Sequence, residues 1–258
     1  MRPLLSLSVV VFALGFCGRT SGDDKDEIAK CVKDLKSTDL QARLKAVEKL
    51  TECGEGAARP LCDAMLDTNR KVAQAALVGV EKVSPKLYKP LATMALDKDV
   101  NNVRKALVDI YQLGKEARPA FGYLVARYKS EAKREQAGTS INNYAGEYLA
   151  VISVIGGDSE ECVTFFKAVA TSTHPTHHEA VIWLVEWAGA DMARRKEVVP
   201  VIKARISDKA GAEYFIELAG KYGALSKDML PALKKLKLSK EMTIRDAATK
   251  AVELIEAP

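Results

Sequence analysis

Residues 40–54 (LQARLKAVEKLTECG), 70–84 (RKVAQAALVGVEKVS) and 100–114 (VNNVRKALVDIYQLG) superpose without a gap when the chain is shifted by thirty residues. Ala46, Ala76 and Ala106 coincide, as do Leu50, Val80 and Ile110; Cys53, Val83 and Leu113 coincide and lead into Gly54, Ser84 and Gly114. Apolar residues three and four apart form one stripe along a helix, and no stretch alternates as a half-buried strand would. Upstream, Leu61 superposes on Leu91, Leu66 on Leu96 and Asp67 on Asp97, so each unit is expected to hold two helices.

The punctuation agrees with that period. Pro60, Pro90, Pro119, Pro200 and Pro231 are placed where the first helix of a unit starts, a position where a missing N–H is harmless. Gly54, Gly114, Gly156, Gly189 and Gly223 are placed where the second helix stops and a left-handed residue is wanted. Thr38 with Gln41 reads as a capping box opening the second helix of the first unit.

A proline in the first helix, an Asp at the turn and an Arg opening the second helix resemble a HEAT repeat, with Asp67 and Arg70, and Asp97 and Arg104, carrying the resemblance. It is clearest from Asp23 to Arg118 and returns at Ile244, Arg245, Ala247 and Ala251. The expected fold is all-α: an α/α superhelix, or α-solenoid, of about seven HEAT-like two-helix repeats over residues 23–258, beginning near Asp23, Arg59, Pro85, Arg118, Ser159, Asp191 and Ser226. Units of this size cannot bury a core alone, so they stack, with contacts mainly between neighbours. One irregularity stands out: a polar insertion, about 129–143, puts Gly156 forty-two residues after Gly114. It either extends a first helix beyond the body or forms a loop over one face.

Ahead of the repeats, Met1-Arg2-Pro3, the apolar run Leu4–Cys17 and the polar Gly18–Gly22 have the three parts of a secretory signal. Residues 1–22 are read as a signal peptide cleaved before Asp23, which makes the chain periplasmic or extracellular. The competing reading is a lipoprotein anchored through Cys17, although bulky Phe16 stands where a lipobox wants a small residue. Losing Arg2 and Arg19 and no acid lowers the net charge from +5 to +3. That near-neutral balance argues against nucleic-acid binding, Arg194-Arg195-Lys196 and Lys234-Lys235-Lys237 being short enough for solvated helix faces. Neither that fourteen-residue run nor any later one is long enough to span a membrane.

Candidate chemistry is sparse. His174, His177 and His178 fall within five residues and Glu179 follows, the one grouping suited to zinc, copper or nickel. Against it, Thr176 and Glu179 read as a capping box starting a helix at His177. Cys31, Cys53, Cys62 and Cys162 outlast cleavage; the first two occupy positions that sister units fill with aliphatics, and a Cys53–Cys62 disulfide stays open. Two enzyme families, the phycobilin lyases and the iron-dependent deoxyhypusine hydroxylases, use HEAT-like repeats, but the several His-Glu pairs of the latter reduce here to His178-Glu179. No catalytic residue and no cofactor is therefore assigned.

The resemblance implies instead a non-enzymatic scaffold whose concave face, lined by second helices, binds a protein, or else a peptide or cell-surface polymer. Counting back from the helix-ending glycines puts Ala150, Val151 and Val154, then Trp183, Leu184 and Trp187, then Tyr214 and Leu218 on the outward rows of three central second helices. These are the candidate partner-binding residues. A one-residue slip at Gly189 would turn both tryptophans into the helix seam.

Overall fold

The computed structural model describes residues 21–140, 144–208 and 211–257. Among them it holds fourteen α-helices and no strand. They pair as seven hairpins: α1 (Ser21–Asp34) with α2 (Leu40–Glu52), α3 (Ala58–Ala64) with α4 (Arg70–Val83), and α5 (Pro85–Leu96) with α6 (Val100–Leu113). Then follow α7 (Phe121–Gln136) with α8 (Ala145–Gly156), α9 (Glu160–Ala170) with α10 (His177–Ala188), α11 (Met192–Arg205) with α12 (Ala212–Lys221), and α13 (Leu230–Leu236) with α14 (Met242–Glu256). No helix among the described residues is long and apolar enough to cross a membrane. Of the expected export signal, only Ser21 and Gly22 are described, opening α1; Cys17 lies outside the described residues.

The thirty-residue register holds in three dimensions. Ala46, Ala76 and Ala106 are buried in the seams, and Leu50, Val80 and Ile110 are fully inaccessible. Cys31 shares that burial with Leu61 and Leu91. Removing such aliphatics from water stabilises the stack by about 1.5–3 kcal/mol per large side chain, which is why single units do not stand alone. A polar relay repeats beside this core. Ser37, Asp67 and Asp97 accept from the N–H of Asp39, Asn69 and Asp99 at 3.1, 2.7 and 2.8 Å. Those three residues then cap α2, α4 and α6, accepting from the N–H of Gln41, Lys71 and Asn101. The Asp99 N–H and the Asn102 amide hold the Asp97 carboxyl below its usual range.

Several expectations are corrected. Asp39, not Thr38, caps α2, because its carboxylate reaches the Gln41 N–H while Thr38 offers only its carbonyl, to Arg43. Pro90 and Pro200 lie inside α5 and α11: Pro85 already takes the first turn of α5, and Asp191 caps α11 nine residues ahead of Pro200. The left-handed residue closing α8 is Gly157, while Gly156 stays helical against Cys162 and Phe121. The Asp–Arg pairing also differs. Asp67 bonds Arg43 at 2.8 Å and Asp97 bonds Asn102, whereas Arg104 turns to Glu147 at 2.9 Å and lies over the Tyr144 ring.

The stack is not confined to neighbours. The helix α3 packs on α7 and on the 3-10 turn Gly114–Ala120 before it, passing over the α5–α6 pair. Asp63 comes so close that a side chain on Gly122 would strike its carboxylate, and Arg59 pairs with Glu161, 102 residues away. Burial pushes the Asp63 carboxyl upward, with Arg59 opposing.

Candidate functional site

The polar insertion lengthens a first helix: its early residues carry α7 to Gln136, and residues 141–143 lie outside the described set. This overhang makes one wall of a groove whose other wall is α9, with a volume of about 500 Å³. At 1.5 Å per residue, the sixteen residues of α7 run about 24 Å along it. Phe121, Tyr128 and Phe165 form the floor, edge to face at 6.5 and 5.3 Å. Depth comes from small residues on the walls, Ala132 on α7 and Ala168 on α9. Lys129 and Lys133, both exposed, stand one turn apart on the rim.

One end is closed by a buried polar cluster in the α9–α10 connection. His174, 3 % exposed, receives the Thr176 N–H on Nδ1 at 3.2 Å and the Thr176 hydroxyl at 2.8 Å. Two donors on Nδ1 leave the ring proton on Nε2. That atom lies 3.1 Å from Glu135 Oε2 but out of hydrogen-bond alignment, so the contact is electrostatic proximity. Tyr128 completes the chain through its hydroxyl, 2.8 Å from that of Thr176. Burial raises the Tyr128 phenol, against the lowering effect of this bond. Glu135 also accepts the Ala145 N–H at 2.9 Å, clipping the start of α8 to the end of α7. Glu131 binds Arg134 and Ser140, and Arg205 donates to the carbonyls of Ala170 and Ser172, fixing the connection from the far side.

The three histidines weighed as metal candidates are dispersed. His174 faces Thr176 and Glu135; His177 bonds the His174 carbonyl and approaches Asp208 at 3.7 Å; His178 leans on the Tyr214 ring at 4.7 Å. No group of three ligating side chains occurs among the described residues. The helix does begin at His177, but Thr176 spends its hydroxyl on Tyr128 and His174 and makes no side-chain cap. Burial pushes the thiols of Cys62 and Cys162 up to about 12, so both remain protonated core residues at neutral pH. No Cys53–Cys62 disulfide is formed.

The candidate partner-binding row turns largely inward. Leu184 is fully buried and Val151 and Leu218 nearly so, because they meet the facing helices of their own and neighbouring hairpins. Trp183, Trp187, Val154 and Tyr214 are half-buried, and Ala150 is exposed. Trp183 stacks on Phe166 at 4.1 Å and on Trp187 at 6.5 Å, while the Arg194 guanidinium covers Trp187 at 5.0 Å. Sequence reasoning missed the groove itself. Its signal was present: Phe121, Val125, Tyr128 and Ala132 are spaced four, three and four, an apolar stripe that runs into the polar insertion.

Paired helices, a thirty-residue register and stacking of successive pairs make the chain an all-α solenoid of two-helix repeats. No protein-family model matches it, and no curated protein does so either. Among solved structures, a designed armadillo repeat protein is 18 % identical, with 89 % of this chain and 100 % of that one covered and a TM-score of 0.22. An engineered protein solved by a structural genomics consortium is 16 % identical, with 90 % and 99 % covered and the same TM-score of 0.22. Neither overlap is close, and the fold rests on the chain's own helix pairing.

Proposed function

We propose that this chain is an exported, non-enzymatic scaffold that holds a segment of another protein in the groove between α7 and α9. The observation that carries the reading is the groove itself, an open, apolar-floored trough bounded by two helices and closed at one end by a hydrogen-bonded cluster. Such troughs are suited to burying one apolar face of a partner element. Export rests on the sequence of residues 1–22, and a non-catalytic role accords with the usual work of helical-repeat folds.

The site moves from the second helices to the first. A photo-crosslinking residue at Thr164, exposed on α9, is expected to yield a discrete adduct in the native envelope or secreted fraction. The same residue at Lys45, on the outer face of α2, is expected to yield none. Loss of the Thr164 adduct in an Ala168→Trp background ties it to the groove; equal adducts from Thr164 and Lys45 would defeat the proposal.

A further inference from the structure

Resting on that reading of the groove, we infer that its occupant is an amphipathic α-helix of the partner, carrying two carboxylates one turn apart on the flank that meets Lys129 and Lys133. Shape selects a helix. The walls α7 and α9 are helices whose backbone groups are bonded internally, so the groove offers no row of N–H and C=O groups to an extended segment. A strand laid there would lose water from its main chain without replacement, while a helix satisfies its own. The stretch bounded by both walls is set by the eleven residues of α9, about 16 Å or roughly three helical turns. Ala132 and Ala168 leave room for a ridge of larger side chains above Phe165 and Tyr128.

Charge selects an acidic flank. Lys129 and Lys133 are exposed and make no ion pair among the described residues, although Glu131 and Glu135 lie on the same helix. Those two carboxylates turn inward, Glu131 to Arg134 and Ser140, Glu135 to Ala145 and the His174 side. The rim acid at the other end, Glu161, is matched by Arg59. The unbalanced charge facing the groove is thus positive and spaced four residues apart, the spacing at which two carboxylates on a parallel or antiparallel helix would meet it.

The test uses the whole chain and synthetic helical peptides, labelled for fluorescence anisotropy. One peptide carries a leucine stripe and two glutamates four apart on one flank; its twin carries lysines at those two positions. The acidic peptide is expected to bind about tenfold more tightly than its twin, two exposed pairs supplying that order of preference. The Lys129→Glu and Lys133→Glu double variant should reverse the preference. Ala168→Trp, at an exposed position that tolerates bulk, should abolish binding of both. Equal affinities, or a preference the double variant leaves in place, would overturn the acidic helix while a block by Ala168→Trp kept the groove as the binding site. Binding untouched by both Ala168→Trp and Thr164→Trp would overturn the groove reading as well. Saturable binding of dodecanoate, blocked by Ala168→Trp and without binding of either peptide, would assign the groove to a small amphiphile and end the inference.

Discussion

The run from α2 to α6 and the run from α7 to α11 are built from the same helix pairs, yet they bury different things. The first seals its seams with small and branched aliphatics and keeps its polar relay of Ser37, Asp67 and Asp97 at the turns. The second buries a histidine, a glutamate, an arginine and a threonine and spends them on holding an irregular connection in place. A regular seam needs only shape and apolarity, which every unit can supply. An overhanging helix leaves a groove beside it, and polar groups must then be satisfied one by one to keep it open.

The comparison can be broken most severely in the regular half. Ala106→Glu puts an unpaired carboxylate into a seam where the native side chain is 2 % exposed, and a loss of about 4 kcal/mol or more in urea denaturation is expected. Lys105→Glu, exposed on the next residue, should change the midpoint by less than about 0.5 kcal/mol. Equal losses would mean that the seam is not where the repeats put it. In the irregular half, His174→Ala removes the ring nitrogen that the Thr176 N–H and hydroxyl bond, and should cost about 2 kcal/mol. Asp99→Ala deletes a turn cap from the regular half and should cost about 1 kcal/mol, since water can replace it. If the cap proves dearer than the histidine, the contrast between the two halves fails.

Most of the fold was legible because the repeat forces it. Ala46, Ala76 and Ala106 share an environment, and three copies of one pattern outvote local ambiguity. Legibility ends where the copies do. Pro90 looked like a helix start because Pro60 is near one, although Pro85 had already set the first turn. Trp183 and Trp187 were placed by counting from a single glycine, and a helix rotates about 100° per residue, so a small error in register exchanges surface for core. The stacking of Trp183 on Phe166 depends on a residue of another helix that no periodicity announces. The groove was harder still. A trough between α7 and α9 is a property of two helices that fail to close on each other, whereas sequence patterns report what is buried.

The contact of Arg59 with Glu161 and the seating of α3 on α7 reach further than stability. A chain of units touching only adjacent units behaves as a one-dimensional array: it can start folding anywhere, fray from either end and lose units singly. A tie across 102 residues removes that freedom, because α3 has no complete surface until α7 has been made and positioned. Contact order rises, and with it the entropy that must be spent before the first half is secure. The first six helices, emerging earliest and looking the most self-sufficient, are therefore those that must wait.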